Sequence, residues 1–79
     1  MDIKVLGPGC PKCKTLETMT REVVAENNID ATVEKVDDIM KIMEYGIMRT
    51  PGMVINGKVL FSGRVPSKDE LKSMIENEK

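Results

Sequence analysis

The residues best suited to chemistry lie in Gly7-Pro8-Gly9-Cys10-Pro11-Lys12-Cys13-Lys14, which holds both cysteines of the chain. Cysteines at i and i+3 in the first turn of a helix share a face and are close enough to join as a disulfide with little backbone movement. A thiolate at the first of them meets unpaired backbone N–H groups and the positive end of the helix dipole. Both lower its pKa and raise the reactive fraction near neutral pH. Gly-Pro-Gly turns the chain out of a strand, and Pro11 suits a first helical position, where no N–H is needed. Cys10 is therefore expected at the N-cap, exposed, with Cys13 one turn in and more buried. The chemistry of such a pair is thiol–disulfide exchange, Cys10 attacking a disulfide and Cys13 resolving the mixed disulfide.

The alternative use of the same pair is metal binding. A dithiol ahead of a helix, in a chain with seven methionines, suits soft Cu(I) or half of a zinc site. For zinc, two protein ligands are two short of a closed tetrahedral site, and a dimer would be required. Inert packing is the poorest reading, because an exposed Gly-Pro-Gly turn is a bad place for unreactive thiols. Lys12 and Lys14 either support the thiolate or are solvated helix residues. Met19, Met40, Met43 and Met74 sit at helical core spacings and are expected to fill the core. Met48, just before Thr50-Pro51, is placed to extend an apolar rim around the dithiol.

Composition narrows the function classes. The 79 residues are expected to form one domain, 1–79, with a modest core. Both cysteines are committed to one local pair, so no disulfide staples distant segments, and a reducing, cytoplasmic setting follows. The opening Met-Asp-Ile-Lys-Val-Leu carries no export signal, and the apolar runs are too short to span a bilayer. A net charge of −1 with scattered basic residues argues against nucleic acid and anionic lipid as partners. Tyr45 and Phe61 are the only aromatics and offer no stacking platform for bases. With no histidine in the chain, the usual general base is missing, and chemistry must come from sulfur or carboxylates.

The elements that would position the dithiol follow from patterning. Asp2 to Leu6 has a partial two-residue period and reads as a strand. Its Lys4 either lies near the dithiol or snorkels at a sheet edge. From Pro11 to about Asn27, apolar residues recur at helical steps. Thr32 to Val36 reads as an edge strand, and Asp37 or Asp38 caps a short helix that Gly46 ends. Arg49-Thr50-Pro51-Gly52 breaks the chain before Met53-Val54-Ile55, a buried central strand. Asn56-Gly57 marks a type I′ hairpin into Lys58-Val59-Leu60-Phe61. Ser67-Lys68-Asp69-Glu70 has the capping-box form and starts a last helix, with Glu76 to Lys79 expected to fray. The resulting class is α/β, in βαβαββα order. A right-handed crossover makes the first two strands parallel neighbours, and the hairpin completes a four-stranded mixed sheet flanked by three helices. The dithiol then lies at the carboxyl end of the first strand, where open α/β sheets place ligands.

That order, with Cys10-Pro11-Lys12-Cys13 after the first strand and Thr50-Pro51 opening the third, resembles the thioredoxin/glutaredoxin superfamily over essentially the whole chain. It is most similar to the small thioredoxin-like proteins labelled redox-active disulfide proteins. The resemblance implies a cis Pro51 facing the dithiol, a Thr50 backbone that pairs with an extended substrate, and a Gly63 that keeps the groove open. It implies a monomeric protein-disulfide oxidoreductase without a cofactor, acting on disulfide-containing proteins and recycled by a disulfide reductase. Cys10 and Cys13 are then the catalytic pair, Thr50, Pro51 and Gly63 bind substrate, and Pro11 and Lys12 support the site. The chain departs from thioredoxins in Gly9 before Cys10 and in Lys4 where a buried carboxylate is usual. It departs from glutaredoxins in Gly63-Arg64-Val65-Pro66, where a Gly-Gly and an Asp pair bind glutathione. It departs from copper chaperones in element order and in Pro8, where those carry methionine.

Overall fold

The computed structural model describes residues 1–78. Its elements are β1 (Asp2–Leu6), α1 (Pro11–Glu26), β2 (Thr32–Val36), α2 (Ile39–Glu44), β3 (Gly52–Ile55), β4 (Lys58–Ser62) and α3 (Lys68–Asn77). The strands form one sheet in the order β2-β1-β3-β4. β1 runs parallel to β2 and antiparallel to β3, and β3 runs antiparallel to β4. This is the expected βαβαββα thioredoxin-like fold, with β2 on an edge and β3 buried at every position.

Strand alternation divides the core in two. Ile3 and Val5 of β1 and Met53 and Ile55 of β3 point to one face, where they pack with Leu16 and Val23 of α1 and Leu71 and Ile75 of α3. Leu6 and Val54 point to the other face and pack with Val36 and with Ile42 of α2. A continuous apolar run in β3 is what a strand covered on both sides requires. Thr20 of α1 is fully buried, and its hydroxyl donates to the Leu16 carbonyl at 2.7 Å, so no polar group is stranded.

The Asn56-Gly57 turn forms as expected, both residues at positive φ, with Ile55 opposite Lys58. Asn56 also ties the hairpin to β1: its Oδ1 accepts from the Asp2 N–H at 2.9 Å, and its N–H donates to the Asp2 carbonyl. Further along, the register slips where Val54 faces Val59 and Met53 faces Phe61. The extra residue, Leu60, makes a bulge that alternation alone does not disclose.

Two expectations need correction. Met40 and Met43 do not fill the core: they are 72% and 64% exposed. α2 is only six residues long and rests on the sheet through Ile42 alone, so its remaining faces turn to solvent. Met19 and Met74 are partly buried, as helical spacing predicts. The expected fraying does not begin at Glu76, because α3 continues through Asn77 and Glu78 pairs with Lys58 at 3.5 Å. Lys79 lies outside the described residues.

Ile42→Ala is therefore expected to cost about 2–5 kcal/mol and Met40→Ala less than about 0.5 kcal/mol, read from urea midpoints. The α3 capping box supplies a pH test. Ser67 N–H and Oγ both donate to the Glu70 carboxylate, at 3.4 and 3.2 Å, while Glu70 N–H donates to Ser67 Oγ. The Ser67 backbone N–H, then its hydroxyl, then nearby Arg64 hold the Glu70 pKa below its ordinary value. A depressed carboxylate stabilises the fold fully above its unfolded value and loses that contribution as pH falls through the folded one. The stability gap between the native chain and Glu70→Gln should close on acidification across that window.

Candidate active site

One end of the sheet gathers most of the residues singled out above. Val36, Leu6, Gly52 and Ser62 stand in one row across the four strands. One step beyond that row come Gly7 at the end of β1, Pro51 ahead of β3 and Gly63 after β4. Hydrogen bonds hold this next row: Gly7 N–H donates to the Val36 carbonyl at 2.8 Å, and Gly63 N–H to the Pro51 carbonyl at 2.8 Å. The Thr50-Pro51 peptide is cis, as the resemblance implied. The strand ends thus bring the turn that carries the cysteines to the same end of the sheet as Thr50, Pro51 and Gly63, from segments about 40 to 50 residues away in the chain.

Cys10 is the N-cap of α1 and Pro11 opens the helix. Cys10 and Cys13 are joined as a disulfide, their Cα atoms 5.1 Å apart. The two sulfurs differ in environment. Cys13 is 3% exposed, whereas Cys10 is only partly covered and its Sγ accepts from the Cys13 N–H at 3.2 Å. That contact draws Cys10 back over the first turn, so it is less open than the sequence predicts. In the reduced protein the same N–H and the helix dipole face a Cys10 thiolate, whose charge they favour. Burial has the opposite effect on Cys13, disfavouring its thiolate. The pair thus has one partly exposed sulfur and one sheltered one.

The charges around α1 reinforce this. Its first turn carries Lys12 and no acidic residue, and its last turn no basic one, the reverse of what the helix dipole prefers. Lys12 and Lys14 are exposed. At the far end, Lys68 of α3 offsets the mismatch by pairing with Glu26 at 2.8 Å and Glu22 at 3.8 Å. Lys4 does not lie by the dithiol. It is on the α2 face of the sheet and donates to Glu34 at 3.3 Å, with Asp2 at 3.6 Å. Its pKa is raised, first by the Glu34 hydrogen bond and then by Asp2 and Glu34 charge, so it is a held ammonium rather than a proton carrier. Met48 is 96% exposed just before Arg49. Among the described residues, no three His, Cys, Asp or Glu side chains converge on a metal position.

The thioredoxin domain profile matches residues 1–76. The chain belongs to the thioredoxin family. A thioredoxin of Methanothermobacter thermautotrophicus is 40% identical over 75 residues, spanning 95% of this chain and 97% of that protein. One of Methanocaldococcus jannaschii is 38% identical over 78 residues, spanning 94% of this chain and 90% of its own. A probable thioredoxin of Archaeoglobus fulgidus is 32% identical over 71 residues. With its paired Cys10 and Cys13, this thioredoxin-family chain is a thiol–disulfide oxidoreductase. Among the described residues, no helix is long and apolar enough to cross a membrane.

Sequence reading passed over two residues in this thioredoxin site. Gly7 is buried, and a Cβ there would collide with Cys13 Sγ and stand 2.8 Å from Cys13 Cβ. The available signal was a glycine directly after a strand, which marks close backbone approach as readily as a turn. The other is Arg49, read only as part of a breaker cluster. A Cβ at Gly63 (φ +78) would come within 3.0 Å of Arg49 Cβ and 3.2 Å of its Cδ, so the arginine stem lies across that glycine. Gly7→Ala is expected to destabilise the reduced protein by about 1–3 kcal/mol, the usual cost of overpacking. Because the collision is with Cys13, adding Cys13→Ala should recover part of that loss. A double-mutant cycle under reducing conditions should show a coupling of about 0.5 kcal/mol or more.

Proposed function

We propose that the protein reduces disulfides in protein substrates through the Cys10-Pro11-Lys12-Cys13 dithiol. The observation that carries this reading is the asymmetry of the pair: Cys10 at the helix N-cap, with the Cys13 N–H donating to its sulfur at 3.2 Å, and Cys13 buried beneath. The Cys10 thiolate attacks one sulfur of the substrate disulfide. That bond breaks, a substrate thiolate leaves and takes a proton from solvent, and a mixed disulfide to Cys10 remains. Cys13 then loses its proton and attacks Cys10 Sγ, releasing the second substrate thiolate. Two electrons have passed from the protein dithiol to the substrate, and the protein is left as the Cys10–Cys13 disulfide.

In this reading Thr50, Pro51 and Gly63 form the substrate groove, with the Thr50 backbone offering hydrogen-bonding groups to an extended segment around the substrate cysteine. Pro11 fixes the start of α1, and Lys12 adds positive charge in its first turn. The setting is the cytoplasm, the working form is a monomer, and a disulfide reductase returns the pair to the dithiol. Support comes from the shared placement of these residues at one end of the sheet and from the likeness over nearly the whole chain to archaeal thioredoxins.

Cys10→Ser is expected to abolish reduction of a protein disulfide such as that of insulin. Cys13→Ser should leave a stable mixed disulfide between Cys10 and the substrate, visible as a mass adduct that excess dithiol removes. Full turnover by either variant would overturn the assignment of roles.

A further inference from the structure

Charged side chains flank the reactive end of the molecule on both sides, and they are not equally engaged. On the β2 side stand Asp37 and Asp38, the latter capping α2 through its Oδ1 on the Met40 N–H at 2.9 Å, with Lys35 and Lys41 beside them. On the β3–β4 side stand Arg49 and Arg64, and the α1 helix that starts at Cys10 presents Lys12 and Lys14. Arg64 is already engaged, over the Phe61 ring at 5.4 Å and with Glu70 at 3.6 Å. Arg49 has no ion pair among the described residues. Its stem is nevertheless placed: it runs across Gly63, whose N–H is bonded to the Pro51 carbonyl. The absent side chain at Gly63 is what lets the stem lie there. A positive φ at that position adds a second reason for glycine. This basic wall belongs to a chain of net charge −1, so it is local and not the overflow of a generally basic protein.

We propose that Arg49, seated on Gly63, is a specificity-determining residue that favours disulfides flanked by aspartate or glutamate, with Lys12 and Lys14 adding to the same field. This deepens the reductase reading above and rests on it. A guanidinium next to the groove offers a planar, always charged fork to a carboxylate on the docking segment. Rim charges of this kind act mainly on the rate of encounter and are screened by salt. Selection therefore appears in the second-order rate constant and not in the chemistry of the captured complex.

The test uses full-length protein, reduced with excess dithiothreitol and desalted, in single turnover against three disulfide peptides. The peptides are identical except that the residues flanking the cysteines are Glu, Gln or Lys. Each rate is divided by the rate of free dithiothreitol with the same peptide, which removes intrinsic differences in disulfide reactivity. The Glu peptide is expected to react about five times faster than the Lys peptide at about 20 mM salt, the ratio falling toward one at about 0.5 M. Arg49→Gln should cut that ratio at least in half, and Arg49→Lys should retain most of it. Lys72→Gln makes the same charge change beside Glu26 and Asn27 at the far end of α1 and should leave the ratio as it is. Equal normalised rates on all three peptides, or a ratio unchanged by Arg49→Gln, overturn the selectivity alone. Absence of exchange with every peptide overturns the reductase reading and the selectivity together.

Discussion

The antiparallel pairing of β1 with β3 is the constraint on which the reactive end depends. These are the two central strands, and their register sets Leu6 against Gly52. That single alignment decides that the turn after β1 and the Thr50-Pro51 peptide before β3 emerge side by side. Burial on both faces of the sheet holds the register, because a slip of one residue would turn Ile3, Val5, Met53 and Ile55 out of one core and Leu6 and Val54 out of the other. The cysteines need no long-range partner of their own. They inherit their position from the strands.

Much of this was legible in the sequence because the signals were local and redundant. The Asn56-Gly57 hairpin, the Ser67–Glu70 capping box, the Cys10 N-cap with Pro11 behind it and the Gly46 stop each rest on residues within one turn of one another, and each is present in the structure. What escaped was contact between segments. The glycine after β1 signalled a close approach without saying that Cys13 would make it, and nothing near Gly63 announces the Arg49 stem. The cis Pro51 was legible only through the family resemblance, since most X-Pro bonds are trans. Met40 and Met43 were misread for a related reason: helical spacing says which residues share a face, but a six-residue helix has one line of contact with the sheet, and Ile42 occupies it.

The two layers around the sheet differ in thickness. α1 and α3 cover one face with long apolar stripes and link to each other through Lys68. α2 covers the other with a single buried side chain. The dithiol is attached to the thick layer, at the start of the longest helix, so both sulfurs stand on the better-anchored side of the molecule. The segment that carries Arg49, Thr50 and Pro51 returns from the thin layer. The disulfide thus starts from the thick layer, while the cis Thr50-Pro51 peptide is reached from the thin one.

Cys10 is at once one half of the disulfide and the cap of α1, and this joins two quantities that are usually measured apart. Folded and unfolded chains, each oxidised or reduced, form a closed thermodynamic cycle. Any preference of the folded helix terminus for a Cys10 thiolate over a disulfide must appear both as a higher reduction potential than the unfolded chain has and as an equal gain in the stability of the reduced form over the oxidised one. For a two-electron couple about 30 mV corresponds to about 1.4 kcal/mol. A substitution that weakens the first turn of α1 is therefore also a redox substitution, and unfolding the protein in its two oxidation states measures its strength as an oxidant relative to its own unfolded chain.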